Sequence, residues 1–501
     1  MKYIVSFFIC TIALAGDSTY SSVFKQPFKY SNSFSIVRPS EVTYQLWEGF
    51  SLMRKANSGD PEAQHELGIR YLTGQGFTPD TIKSFELLLK AADNGHLLAL
   101  FNLGVFFHNG WGVEWDPFKA YKYFRSSAEK GTREGAFAFS LYYTDNLTVE
   151  RDLQLAYKWM KISAEMGYPP AKELLPEIER YRDQQVRDSV ILLSSPQTVS
   201  GQPQLMPLSF DLMDDADVQN DSTFSLKEIL LALGEPWPTM IKKIVPLTDS
   251  LLFSLLIRHA EWGVPEEFTI IGRCYERGIG IQRDSLRAIL TYLRAVRLES
   301  RRAPAMLIRL LENESLIRKI QTQARKGDSE AQYIVSCFSL TGIYPSQQHD
   351  DIVKFLQQSA QQSFAPAVTE LGTVYFSGQI VAQEKKKAID LWRRSYILGS
   401  HEALVKISSA KIVTGYGEIP VDSAQKVLYT AMEEGSINAQ MAVAFSYETG
   451  IGFPKKLSEA AKVYRHALQR GSRSAYASLQ RMYDVRRPAD DPEFRITRRS
   501  E

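Results

Sequence analysis

The sequence predicts an all-α fold, a right-handed α–α solenoid of helix–turn–helix repeats that are each about 36 residues long and form two arrays. Three observations lead to this prediction. A small residue returns at a fixed step of 36 residues, large apolar residues keep register with it, and capping residues and glycines bracket each predicted helix. Such agreement between independent local signals is typical of a foldable repeat array.

A small residue anchors each repeat in the first predicted helix. Steps of 36 residues connect two series of anchors, first Ala63, Ala99, Gly135 and Ala171, and later Ala331, Ala367, Ala403, Ala439 and Ala475. Later in each repeat, small residues flank a large one at helical spacing, which keeps the three on one face of the second helix. The large residues are Leu88, Phe124, Met160, Tyr292, Leu356, Trp392, Leu428 and Tyr464. Small residues let helix axes approach, and the large residue fills the space between neighbouring helices.

Capping residues mark the predicted ends of the helices. Good N-caps stand three residues before most anchors, at Asp60, Thr132, Asp328, Ser400, Ser436 and Ser472. Second helices begin after aspartates at Asp80, Asp116, Asp152 and Asp284. Glycine pairs such as Gly110 and Gly112 end the first helices, because glycine readily adopts the left-handed conformation that terminates a helix.

The repeat pattern resembles that of a known family. It reads A-x3-L-G-x2-Y-x2-G-x-G, then D-x3-A-x3-W/F/Y-x2-A-x3-G, and is most complete in residues 99–131 and 439–471. This pattern looks like the Sel-one-like repeat, a relative of the tetratricopeptide repeat. The resemblance implies protein–protein interaction in bacterial envelopes or host contact. Several repeats depart from the pattern. Asp145 and Asn146 stand where glycines are usual, and Ser339 and Lys411 replace the aromatic residue of their repeats.

Changes in composition predict six segments along the chain. We expect a signal peptide over 1–15, an extended arm over 16–44, a first repeat array with a capping helix over 45–193, an acidic linker over 194–223, a second repeat array over 224–485 and a charged, frayed tail over 486–501. A short charged start, an apolar run and a small-residue site are typical of a secretory signal. We therefore expect a secreted or periplasmic protein, with no membrane-spanning segment in the mature chain.

Composition and motifs argue against several function classes. The 59 basic and 57 acidic residues nearly balance, which disfavours a nucleic-acid binder. None of the seven histidines lies in a metal-binding spacing, so we expect no metal, no cofactor and no catalytic residues. The glycine-rich stretches at 73–77 and 278–284 recur with the repeat and are interpreted as turns. Cys274 and Cys337 are expected to be unpaired core thiols.

The predicted binding surface is the concave face of the solenoid. By analogy with tetratricopeptide arrays, first-helix residues at fixed offsets from each anchor would line it. Aromatic and methionine side chains there suit a peptide or a partner helix. These candidate partner-binding residues are Phe101, His108, Phe137, Leu141, Tyr333, Phe376, Met441 and Phe445. The alternative is that the same side chains are core.

Three functions follow from this reading. The first is an exported, non-enzymatic scaffold or adaptor that binds a protein or peptide partner on the concave face. The second, implied by a related protein, is a quality-control adaptor of a ubiquitin-ligase complex in the endoplasmic reticulum lumen. Glycosylation tripeptides at Asn146, Asn220 and Asn313 favour this second function. The third is a secreted hydrolase whose site lies in the aperiodic segments.

Overall fold

The computed structural model of the chain describes residues 46–194, 249–300, 302–341 and 349–496, and the single residue Ile36. Within these residues the regular structure is entirely helical. The first eight helices are α1 (Leu46–Asn57), α2 (Pro61–Thr73), α3 (Thr81–Asp93), α4 (Leu97–Asn109), α5 (Pro117–Glu129), α6 (Arg133–Tyr142), α7 (Leu153–Glu165) and α8 (Pro169–Ser194). The long capping helix expected after Ala171 is therefore present as α8.

Fourteen further α-helices follow in the later described ranges. They are α9 (Asp249–Ala260), α10 (Pro265–Arg277), α11 (Ser285–Arg297), α12 (Ala303–Leu311), α13 (Glu314–Arg325), α14 (Ser329–Thr341), α15 (His349–Gln361), α16 (Ala365–Ser377), α17 (Lys385–Ile397), α18 (His401–Thr414), α19 (Val421–Glu433), α20 (Ile437–Thr449), α21 (Leu457–Gln469) and α22 (Arg473–Arg486). A short 3-10 helix at Pro492–Phe494 comes last. The predicted all-α repeat fold is confirmed.

The described helices form two compact units. The N-terminal unit contains α1–α8, α21 and the residues from Tyr476 onward, and the C-terminal unit contains α9–α20 and Arg470–Ala475. The predicted signal peptide, the predicted linker beyond Ser194 and residues 224–248 lie outside the described residues. Of the predicted arm only Ile36 is described, and it packs against the core around Leu103 in the N-terminal unit.

Most predicted caps are present. The Asp116 carboxylate accepts hydrogen bonds from the backbone N–H groups of Phe118 (3.1 Å) and Lys119 (3.0 Å), which have no partner within the helix. The aspartates before α3, α7 and α11 do the same. Ser436 is an exception, because its side chain makes no cap hydrogen bond. Asn146 replaces the usual glycine by adopting a positive φ of 58°.

The small and large columns of the repeat pack against each other. Gly372 in α16 faces Trp392 in α17, and a Cβ at Gly372 would lie 2.5 Å from the indole Nε1. In the N-terminal unit Gly104 meets the Phe124 ring in the same way. Trp392 and Phe124 are fully buried. Glycine at this position therefore makes room for the large residue, as the spacing predicts.

First helices are buried on nearly all sides, whereas many second helices keep one exposed face. In α4 every residue from Ala99 to His108 is buried. In α17, by contrast, Lys386, Asp390 and Arg394 lie four residues apart and are exposed. None of the helices in the described ranges combines the length and apolarity needed to cross a bilayer.

Candidate functional site

All eight candidate partner-binding residues are buried. The most exposed of them, Phe445, shows 8% of its surface. Their rings pack on the repeat core, as the ring centroids of Phe101 and Phe124 show at 5.4 Å and those of Phe376 and Trp392 at 5.1 Å. The full set is Phe101, His108, Phe137, Leu141, Tyr333, Phe376, Met441 and Phe445. These are packing positions in this structure, and their binding of a partner stays a prediction.

In the C-terminal unit, early residues cover the first helices of later repeats. The backbone N–H of Glu402, at the start of α18, donates to the carbonyl of Glu261 (2.6 Å). The backbone N–H of Ile437, at the start of α20, donates to the carbonyl of Gly263 (3.4 Å). The turn between α9 and α10 thus lies against the starts of two later first helices.

Side chains extend this coverage. The hydroxyls of Ser472 and Ser474 donate to the Glu299 carboxylate at 2.6 and 2.7 Å. The Arg470 guanidinium donates twice to Glu266, at 2.7 and 2.5 Å. Ser472 in turn contacts the sulfur of Met441, so this early segment lies beside one of the predicted groove residues.

A cluster of buried charges lies at this covered face. Arg294 forms a bidentate pair with Glu261 at 2.7 and 2.8 Å. Arg297 forms an ion pair with Glu370 and donates to the Tyr333 hydroxyl at 2.6 Å. The Arg297 and Glu370 side chains are 3% and 0% exposed. Buried pairs of this kind are stable only while both partners are present.

Lys406 and Glu402, 3.5 Å apart on α18, complete what we call the inner charge cluster. Burial opposes ionisation of Glu402, but Lys406 and the two arginines outweigh it and lower the pKa of this carboxyl. The cluster consists of Glu261, Arg294, Arg297, Glu370, Glu402 and Lys406. Three cations thus meet three anions, and each charged side chain of the cluster has a partner of opposite sign.

In the N-terminal unit, α21 and α22 cover the predicted groove residue His108. Burial and the nearby Arg465 hold the pKa of His108 well below its usual value, so the imidazole is neutral. Arg465 lies 3.1 Å from Nε2, and because an arginine can only donate, Nε2 accepts. Nδ1 then carries the hydrogen and donates to the Tyr142 hydroxyl (3.1 Å). Arg465 also donates to Tyr483.

Asp145, which replaces a glycine of the pattern, lies beside this cluster. Burial raises the pKa of its carboxyl to about 6, although the Leu147 N–H and Arg465 favour its ionised form. Its backbone carbonyl accepts a hydrogen bond from the Tyr476 hydroxyl (3.0 Å). The turn that departs from the repeat pattern thus contacts α22 through its backbone.

The C-terminal tail is packed rather than frayed as far as residue 496. Phe494 is fully buried, and Arg487 donates to the carbonyls of Leu147 (2.6 Å) and Thr148 (2.9 Å). A signal for this order is present in the sequence. Asp491 and Pro492 repeat the Asp-Pro pair that begins helices elsewhere in the chain, and here they begin the 3-10 helix.

The structure also places the cysteines and two of the three asparagines of the glycosylation tripeptides. Cys274 and Cys337 are both buried and neither is part of a disulfide, and burial raises the pKa of the Cys337 thiol. No group of three metal-ligating side chains occurs among the residues for which a placement is given. Asn313 is exposed and caps α13. Asn146 is half-buried and accepts from the Arg151 N–H (2.9 Å), and Asn220 lies outside the described residues.

An open cavity lies on the outer side of α17. Its volume is about 400 Å³, and its walls are Glu384, Lys386, Lys387, Asp390, Leu391 and Arg394. Three consecutive apolar residues follow it at the end of α17 and just beyond, namely Tyr396 (43% exposed), Ile397 (84%) and Leu398 (39%). We call these three residues the α17 apolar cluster. Adjacent exposed apolar residues of this kind are typical of contact surfaces.

Comparison with known proteins places these repeats in a family. The model of the Sel1 repeat matches six stretches of the chain, residues 61–96, 97–132, 138–168, 270–299, 365–400 and 437–472. A similar curated protein is the chitin synthase regulator SKT5 of Malassezia restricta, which is 27% identical over 129 residues. That alignment covers 25% of this chain and only 9% of the fungal protein.

Two solved structures are also similar. A Sel1 repeat protein from Oxalobacter formigenes is 30% identical, with 26% of this chain and 98% of that chain covered and a TM-score of 0.25. A protective antigen of uropathogenic Escherichia coli strains, described as displaying an SLR fold, is 20% identical, with 90% and 85% covered and a TM-score of 0.30.

Sel1 repeat proteins generally mediate protein–protein interaction, and their scaffold fold is typically non-catalytic. The six matched repeats coincide with the helix pairs described above, in both units. The six matched stretches therefore show that this chain contains Sel1 repeats, the repeat that its spacing resembles.

Proposed function

We propose that the protein is an exported scaffold that binds a protein or peptide partner. The family supports a binding function, and the fungal relative carries the name of a regulator, which also describes action on another protein. The observation that carries the proposal is the α17 apolar cluster. Burial of its three side chains against a partner would remove apolar surface from water, which is the main source of association free energy.

The outer face of α17 is a better binding surface than the groove predicted from the offsets. A partner in that groove would have to displace the intramolecular contacts of Glu261, Glu299 and the inner charge cluster. The α17 cluster needs no such displacement, because it is exposed as the chain stands. The adjoining cavity offers acidic and basic groups that fix orientation.

Photo-crosslinking at Ile397 tests this surface. We expect benzoylphenylalanine at position 397 to form one discrete adduct of constant mass when the protein is irradiated in its native cell. The matched control is position 433, which lies 36 residues later, at the same register of α19, and is also exposed. An equal pattern of adducts from both positions, or none from 397, would contradict the proposed surface.

A substitution tests the same contact without a crosslinker. Ile397→Asp is expected to lose the partner identified by the adduct, whereas Glu433→Lys keeps it. Because Ile397 is 84% exposed, the replacement leaves the core intact and the thermal midpoint should stay unchanged. Retention of the partner by Ile397→Asp would mean that the cluster does not bind it.

Export is the second part of the proposal, and it makes a separate prediction. The mature protein is expected to begin at Gly16 and to be found in the periplasm or outside the cell, while Ile9→Arg, which breaks the apolar run, stays inside with residues 1–15 attached. Lys2→Arg is the control, since it keeps the positive start. Mass spectrometry of the N-terminal peptide decides this. If residues 1–15 were still attached to the wild-type protein, cleavage and export would be contradicted. If Asn313 carried a glycan that an endoglycosidase removes, the bacterial compartment would be contradicted.

A further inference from the structure

One face of α5 is occupied by the chain's own C-terminal segment. Phe118, Tyr121, Lys122 and Arg125 lie three or four residues apart, so they share one side of the helix. We call these four residues the α5 face. Residues 491–494, with the sequence Asp-Pro-Glu-Phe, lie on this face within the N-terminal unit.

Phe494 is the apolar anchor of the segment. Its ring is fully buried and meets Phe118 and Tyr121 edge to face, with ring centroids 4.9 and 5.5 Å away. The Lys122 ammonium lies over the same ring, 5.3 Å from its centroid. Edge-to-face aromatic pairs and a cation over a ring each add attraction beyond the burial of apolar area.

Two carboxylates provide the polar contacts. The Glu493 carboxylate accepts hydrogen bonds from Arg125 (2.5 Å) and from the Tyr121 hydroxyl (2.9 Å). The Asp491 carboxylate accepts from Lys122 (2.8 Å) and also caps the short helix. The acidic segment thus meets a basic helix face, and every side chain of the α5 face contacts at least one of its residues.

The segment is bound as a short peptide would be bound. It contributes one buried aromatic ring and two charged side chains, whereas the turn that connects it to α22 is exposed at Ala489 and Asp490. A single aromatic anchor beside charge-assisted hydrogen bonds is the usual composition of a peptide-recognition site.

We propose that the α5 face is a recognition surface for acidic-aromatic peptide segments of the form Asp-x-Glu-Phe, held in cis by residues 491–494 until a partner protein's segment displaces them. This inference rests on the proposed scaffold function and names the chemistry of a partner. The tethered segment competes at an effective concentration of about 1 mM. A free segment with a Kd of about 10–100 µM therefore binds the intact protein about 100- to 10-fold more weakly than an open α5 face.

The test uses the full chain with Phe494→Ala, which empties the aromatic position. The probe is a fluorescein-labelled peptide with the sequence of residues 488–496, followed by fluorescence anisotropy. We expect Phe494→Ala to bind the probe about 10- to 100-fold more tightly than wild type. Asp490→Asn, an exposed neighbouring substitution, should bind like wild type. Phe494→Ala combined with Arg125→Glu should lose binding, as should the probe with its phenylalanine replaced by alanine.

Because Phe494 is also a packing residue, Asp491→Asn with Glu493→Gln provides a second opened variant that keeps the ring. It should bind the probe with an affinity between wild type and Phe494→Ala. If both variants fold, as circular dichroism reports, and neither binds the probe better than wild type, the inference is overturned. If the molar mass of the wild-type protein doubled as its concentration was raised, residues 491–494 would be bound by a second copy, and the cis arrangement would be overturned. If the peptide does not bind the opened variants but the crosslinked adduct at position 397 is still formed, only the inference about the α5 face is lost. The scaffold proposal then stands.

Discussion

Replacing Arg297 by Met is expected to lower the free energy of unfolding of the C-terminal unit by about 3–5 kcal/mol. The change leaves the Glu370 carboxylate, which is 0% exposed, without its partner cation. A buried charge that has lost its partner keeps its full desolvation cost and loses the attraction that offset it. Urea denaturation followed by circular dichroism measures the loss, and hydrogen exchange of α11 and α16 locates it.

Two variants separate this explanation from loss of packing. The double variant Arg297→Met with Glu370→Leu removes both charges and should recover most of the loss. Arg287→Met, the matched control, breaks the half-exposed pair of Arg287 and Glu330 (3.5 Å) and should cost about 1 kcal/mol or less. Equal losses for Arg287→Met and Arg297→Met, or no recovery in the double variant, would mean that the buried pair is not the cause.

The second large effect is expected at Trp392, where Trp392→Ala should cost about 3–5 kcal/mol. The side chain is fully buried, its ring packs on Phe376, and its indole N–H donates to the Thr369 carbonyl (3.0 Å). Truncation leaves a cavity and removes one hydrogen bond from the Thr369 carbonyl, which keeps the one donated by the Thr373 hydroxyl (3.1 Å). Denaturation midpoints measure the loss, and Leu391→Ala on the same helix, a partly exposed side chain, is the control and should cost clearly less.

The glycine opposite Trp392 makes the prediction more specific. With Trp392 present, Gly372→Ala places a Cβ 2.5 Å from the indole nitrogen and should cost about 1–3 kcal/mol. In the Trp392→Ala background the clash with the indole is gone and only the Ala388 carbonyl, 3.2 Å from the added Cβ, remains close, so the cost of Gly372→Ala should be clearly smaller. An equal cost of Gly372→Ala in both backgrounds would contradict direct packing between the two columns.

Features that were predictable from the sequence are local ones. The cap at Asp116 acts on the next three residues, and Gly372 and Trp392 lie 20 residues apart within one repeat. Such relations recur at the repeat period, so spacing alone reveals them. The family resemblance rested on the same spacings and was confirmed by the six matched repeats.

The contacts that spacing could not reveal are distant and occur once. Glu299 meets Ser474 across 175 residues, and Tyr121 meets Glu493 across 372. The concave-face residues were chosen on the assumption that an array leaves its first helices open. Two of them meet side chains from other repeats of the same unit, since Arg297 donates to Tyr333 and Arg465 donates to His108.

The sequence by itself determined the helix pairs, most of their caps, the columns of small and large residues and the kind of repeat, because each of these depends on residues within one repeat. Only the tertiary structure decided which faces of those helices remain open. Coverage of a face depends on small rotations between successive repeats, which add up over a hundred residues or more, and on single side chains such as Arg297 and Phe494 that no repeat column records.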